Sequence, residues 1–213
     1  MTRASSPPRF PAKWKFGSDV ARGDADTSPI LALCEHEDDI SLVRWVANRA
    51  SVTGIEFRHI NGWPGIDDLL LAHIKDPVFG GHPPVIAAIV DGDTDPVERR
   101  KQIGRRFKRL APASQLFVYL LPDNDGTGEL EDLFLAACTD TALLDCADKY
   151  ADCVEQQPAN RAKRSKLRYQ AYAAPRRFER RAIQHSPFDS ELDYAHPHIQ
   201  KLAAFLAQCR AGA

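Results

Sequence analysis

The sequence predicts an α/β fold: a mostly parallel sheet flanked by helices, with a C-terminal helical extension. Three observations predict it. Residues 85–90 (VIAAIV) are apolar without alternation, which suits a strand buried on both faces beneath covering helices. Short apolar runs alternate with helix-like stretches in the order β-α-β-α-β-α-β-α, the pattern of parallel strands joined by crossover helices. Three of those runs stop abruptly in acids, at Glu35, at Asp91 with Asp93, and in the loop that opens at Asp123. In open α/β sheets ligands bind at the carboxyl edge of the strands, so the acids fall where a site belongs.

The chain has 213 residues, enough for one sizeable domain with an appended piece. Apolar residues make up 44% and charged residues 27%, an ordinary globular balance, and the net charge of -1 selects no partner by itself. No apolar run approaches the length of a membrane span. The start, MTRASSPPRFPAKWKFG, is basic but has no apolar core of a signal peptide. Residues 1–27 therefore read as a flexible arm. An α/β domain follows at 28–157, and residues 158–213 form a basic segment and a C-terminal helix packed on the same domain. The five cysteines are odd in number and none is paired at CxxC spacing. They read as reduced thiols of a cytoplasmic protein rather than zinc ligands or a disulfide framework.

In order, residues 28–34 (SPILALC) form the first apolar strand, ending at Glu35. A helix follows over 40–49, with Ile40, Val43, Val46 and Ala47 on one face and Asp38 or Asp39 as its cap. Residues 55–60 (IEFRHI) alternate as a short strand, and 66–74 form a helix after the Gly-Trp-Pro-Gly turn. A loop with Gly80 and Gly81 leads to the strand at 85–91. Pro96 suits the first turn of the next helix, which runs to about residue 110, with Asp95 as its cap and Ile103, Phe107 and Leu110 as its buried stripe. Residues 116–121 (LFVYLL) are the last strand. A single helix is expected over about 129–148, and Ile199, Leu202, Phe205 and Leu206 dock the C-terminal helix on the body.

The chemistry concentrates at VDGDTD. In extended chain residues i and i+2 point the same way, so Asp91 and Asp93 are expected to project together, with Gly92 allowing a turn or a close approach. Two adjacent carboxylates repel by roughly 1 kcal/mol at 4 Å in water and several-fold more in a drier site. A divalent cation removes that repulsion, and all-oxygen ligands suit Mg2+ or Mn2+. The plain alternative is a polar turn after a buried strand. A third reading takes DGDTD as similar to the DxDxT motif of haloacid-dehalogenase-type phosphatases with Asp91 as nucleophile. No downstream Lys-acid pattern accompanies it, and the Glu35 corner argues against it.

A strand ending in Glu, then a helix, then a later strand ending in Asp-x-Asp resembles the Toprim domain. The stretches CEHEDD, VDGDTDP and LPDNDGTGELEDL, with SKLRYQAYAA and ELDYAHPHIQKLAAFL further on, resemble more closely the stand-alone Toprim-like DUF3226 family, over roughly residues 30–206. The resemblance implies a Toprim-like, Rossmann-like fold. It also implies catalytic residues Glu35, Asp39, Asp91 and Asp93, and metal ligands Glu35, Asp91, Asp93 and Glu131, with Asp132 and Asp123 competing for the last place. The cofactor would be Mg2+ or Mn2+. One departure is His36, where Toprim domains usually carry Gly.

Such a constellation implies phosphodiester hydrolysis on DNA or RNA, in a defence system or in nucleic-acid processing, with any ATPase a separate partner, since no Walker loop is present. The alternative is a non-catalytic module binding a metal, a nucleic acid or a protein partner within a larger system. The basic tract between Arg161 and Arg181 is set against Glu179 alone and suits phosphate contacts through Lys163, Arg164, Lys166, Arg168, Arg176 and Arg177. Its Tyr169, Tyr172 and Phe178 are candidates to stack on bases. The basic helix around Arg99 to Arg109 suits the same contacts, although its plain reading is a solvated charged face.

Overall fold

Order at the carboxyl edge begins with which strands are neighbours. The computed structural model describes residues 30–60, 66–75, 85–157, 163–176, 183 and 188–213, without the side chains of 69, 72–75 and 176. The predicted arm, the turn at 62–65, the loop at 77–84 and the basic residues Arg161, Arg177, Arg180 and Arg181 lie outside the described residues. The elements run β1 (Ile30–Cys34), α1 (Glu37–Arg49), β2 (Ile55–His59), α2 (Ile66–Lys75), β3 (Val85–Asp91), α3 (Pro96–Leu110) and β4 (Gln115–Leu121). Then come α4 (Leu130–Ala137), α5 (Thr141–Glu155), α6 (Arg164–Ala173), the short α7 (Phe188–Glu191) and α8 (Pro197–Ala211).

The four described strands form one sheet in the order β2-β1-β3-β4, every pair parallel. β1 and the apolar part of β3 are buried along their whole length, as unalternating runs demand. Their side chains divide between two layers. Ile30, Ala32, Cys34, Val85, Ala87 and Ile89 pack with α1, α4 and α8, and Leu31, Leu33, Ile86, Ala88 and Val90 pack with α2 and α3. The helix after β1 thus covers one face and the helix after β3 covers the other. That reversal between neighbouring strands is the topological switch point, and it opens a crevice at their carboxyl ends.

Most of the expected elements form within a residue or two of the predicted bounds. α3 has Pro96 in its first turn and is capped by Asp95, whose side chain accepts the Glu98 N–H at 2.9 Å. Ile199, Leu202, Phe205 and Leu206 dock α8 in the core. Three expectations are corrected. The single helix over 129–148 is two, because Thr139 and Asp140 interrupt it: the Asp140 side chain accepts the Leu143 N–H and starts α5. The cap of α1 is His36, and Asp39 instead reaches back to accept its N–H at 2.9 Å. Tyr169 and Tyr172 are core residues packed edge-on against Phe134, so they are not stacking platforms.

No helix among the described residues is long and apolar enough to cross a membrane.

Candidate functional site: the acidic crevice between β1 and β3

Register places the acids. Cys34 pairs with Ile89, so Glu35 lies one residue beyond that rung and Asp91 two. Strand alternation then sends them to opposite layers. Glu35 continues the Leu31, Leu33 series toward α3, and Asp91 continues the Val85, Ala87, Ile89 series toward α4. Their partners follow. Arg99 of α3 donates to Glu35. The N–H of Leu130, at the start of α4, donates to Asp91 at 3.2 Å, where the helix dipole favours a negative charge.

Asp93 does not follow the extended pattern expected of it. Its φ is +50°, in the left-handed region, and its backbone exchanges two 3.1 Å hydrogen bonds with Gly128. The turn that redirects Asp93 also brings the loop after β4 against the DGD corner. Gly92 is required there: a Cβ would lie 2.7 Å from the Gly126 carbonyl oxygen and 2.8 Å from that of Leu121. The Asp93 carboxylate is 44% exposed and lies 3.9 Å from Arg99 and 3.6 Å from Lys163.

The loop after β4 is held by its own side chains. Asp123 accepts the N–H groups of Asp125 and Gly126, at 3.1 and 2.7 Å, which keeps its carboxyl below the usual range. Asn124 accepts the Leu120 N–H, and Arg100 donates to the Asn124 side chain and carbonyl. Asp132 accepts the Glu129 N–H at 2.9 Å. Asp123 and Asp132 thus each tie down backbone N–H groups of their own turn. Glu131 is partly buried, and its charge acts on Asp91.

Electrostatics mark Asp91 as the centre. Burial raises its pKa, followed by the charges of Asp39, Glu35, Glu131 and Asp93, to about 8. Burial likewise pushes Asp39 up to about 7, although it accepts the His36 N–H. Glu35 is raised by burial and pulled partly back by Arg99. The structure therefore gathers the charge of Glu35, Asp39, Asp93 and Glu131 around Asp91. His36 is exposed at the rim.

Sequence reasoning missed Glu129. It is 4% exposed, caps α4, bonds Lys163, accepts the Ser165 hydroxyl at 3.3 Å and has Lys166 at 4.0 Å. Its signal was weak, because Glu is not among the residues that favour an N-cap and Glu-x-x-Asp reverses the usual capping-box order. Arg164 is bound by Asp152 at 2.7 Å and Glu155 at 2.6 Å, and Arg168 by Asp148 at 3.2 Å, so these two are anchored on α5. The Arg176 side chain and Arg177 lie outside the described residues.

By chemistry the donor set is all oxygen, which suits a hard divalent cation such as Mg2+ or Mn2+. As the side chains stand, the described residues contain no group of three His, Cys, Asp or Glu placed to hold an ion. Arg99 and Lys163 instead neutralise Glu35, Asp93 and Glu129.

Fold and edge together define a parallel α/β protein with a carboxylate crevice at its switch point. The family model described as "Protein of unknown function (DUF3226)" matches residues 22–211, and the chain belongs to that family. Searches of curated proteins and of solved structures return no match.

Proposed function

We propose that the crevice is a Toprim-type, metal-dependent phosphodiesterase centre acting on DNA or RNA. The observation that carries this reading is the buried Asp91 carboxyl, repelled by Asp39, Glu35, Glu131 and Asp93 at a ligand-binding edge. A buried carboxyl beside four other acids is costly to ionise, and a divalent cation relieves that cost. Asp91, Asp93, Glu35 and Glu131 would hold Mg2+ or Mn2+. When bound, the ion supplies Lewis acidity at a phosphoryl oxygen and lowers the pKa of water.

The chain's own groups do the rest. Glu35 would serve either as a ligand to the ion or, left unbound, as the general base or acid of the reaction. Arg99 and Lys163 sit beside Glu35 and Asp93, where a cation stabilises charge developing on phosphate oxygens. Asp39, hydrogen-bonded to His36, fixes the corner that carries Glu35.

One observation favours a second reading. Arg99 and Lys163 already neutralise much of the edge without metal. A non-catalytic module that binds nucleic acid or a protein partner would need no more. The two readings part in one experiment. Protein purified free of contaminating nuclease is incubated with labelled single- and double-stranded DNA and RNA in Mn2+, with and without a candidate partner ATPase. Cleavage by the wild type and none by Glu35→Ala supports hydrolysis. Intact substrates throughout favour the module, and equal cleavage by both proteins assigns the activity to a contaminant.

A further inference from the structure

The cations of α3 divide by face. Arg99 bonds Glu35, Arg100 bonds the Val118 carbonyl and Asn124, and Arg106 bonds Asp67, so these three serve the fold and the crevice. Lys101, Arg105, Lys108 and Arg109 lie opposite the buried Ile103 and Phe107 and are all exposed. At 3.6 residues per turn they fall within a sector of about 100°. Arg105 is 70% exposed and meets Glu98, and Arg109 is 69% exposed and meets Asp67, a residue already shared with Arg106. Exposed pairs of this kind hold their cations weakly. Lys101 and Lys108 have no ion pair among the described residues.

From these observations we infer that the outer face of α3 is a phosphate-backbone track for the nucleic acid that enters the crevice. The inference rests on the nucleic-acid reading above but not on the metal. The stripe starts at Lys101, two residues beyond Arg99 and on another side of the helix, and runs along the axis away from the crevice end. From Lys101 to Arg109 it spans about 12 Å, the length of about three to four phosphates at about 3.4 Å of rise each. The only exposed large apolar residue on this helix is Val97, and the apolar face is buried against the sheet. Anionic lipid would attract the same cations, but stable anchoring takes a second, apolar signal, and this helix has no apolar face to offer. The chemistry fits a polyanion read through its backbone, without sequence preference. By contrast Arg164 and Arg168 of α6 are held by Asp148, Asp152 and Glu155.

The test is fluorescence anisotropy of a labelled duplex in chelator, titrated across a range of salt. In the variant Lys101→Gln, Arg105→Gln, Lys108→Gln, Arg109→Gln the log-log salt slope falls in magnitude by about 0.9 per lost contact, and affinity drops at least tenfold. Arg164→Gln leaves the slope near wild type. If circular dichroism shows that the fourfold variant has not folded, Lys101→Gln with Lys108→Gln replaces it, with a slope change of about two contacts expected. An unchanged slope in a folded variant overturns the inference, as does tighter binding to phosphatidylserine vesicles than to duplex. Salt-dependent binding lost with the stripe, but no cleavage in Mn2+, overturns the hydrolase reading and leaves the track standing. Cleavage with an unchanged slope does the reverse.

Discussion

Arg99 of α3 donates to Glu35 at the end of β1, and the same guanidinium lies 3.9 Å from Asp93 beyond β3. One cation thus spans the crevice between the two strands that define the switch point. It occupies the electrostatic role that a metal would take among these acids. A cation held by the chain and a cation from solution then compete.

Arg99→Gln therefore raises the affinity for Mn2+, by about tenfold if the competition costs about 1.4 kcal/mol. The same change destabilises the metal-free protein, because it leaves the mostly buried Glu35 without its partner. Calorimetric titration and thermal melts read the two effects. Weaker Mn2+ binding in the variant would show that Arg99 supports the ion rather than competing with it.

Asp91→Asn keeps an oxygen to accept the Leu130 N–H while removing the ionisable group. Without metal its melting temperature exceeds that of the wild type at pH 8, and the gain shrinks toward pH 5. A lower melting temperature at pH 8 would mean that the Asp91 charge is compensated in the folded state.

The pH dependence of the wild type has a definite sign. In the folded protein Asp91 titrates near 8 and Asp39 near 7, both above the ordinary 3.8. Between those limits the folded chain keeps protons that the unfolded chain has released. The stability these groups contribute is fully present below about pH 4 and is lost as pH rises through 7 and 8. Melting of the metal-free protein from pH 5 to pH 8.5 reads the Asp91 share of it in the difference from Asp91→Asn. A difference that does not grow with pH would contradict the raised values.

Gly92→Ala forces a Cβ to within 2.8 Å of two backbone oxygens, so the corner must move. A loss of about 1–3 kcal/mol in denaturant unfolding follows. Gly104→Ala, mid-way along α3 with nothing within 4 Å of the new atom, instead gains roughly 0.5–1 kcal/mol. Equal effects at the two positions would remove the argument for close approach at Gly92.

Much of this architecture is legible in the sequence, because unalternating strands and capped amphipathic helices declare themselves locally. β1, β3 and α3 are examples, with Asp95 and Pro96 marking the last. Glu35 and Asp91 at one edge also follow from strands that end in acids. What is not legible is long-range. Alternation carries Glu35 and Asp91 to opposite layers only once their strands are known to be neighbours. Asp93 leaves the extended path because Gly128 pairs with its backbone, 35 residues downstream by their numbering. The helix break at Thr139 and Asp140 carries a capping signal, but a continuous apolar pattern runs across it. The charge of the 163–168 stretch is visible in the sequence, and so are Asp152 and Glu155 nearby as acids for it to pair with, whereas its contacts with Asp148 and Glu129 are visible only in three dimensions.

The central claim, that the acidic crevice is a divalent-cation site, is tested most directly by titrating Mn2+ into the wild type and into Asp91→Asn with Asp93→Asn, by calorimetry at pH 7.5. The account predicts saturable binding in the wild type and none at the same concentrations in the variant. Equal heats and affinities in the two proteins would contradict it.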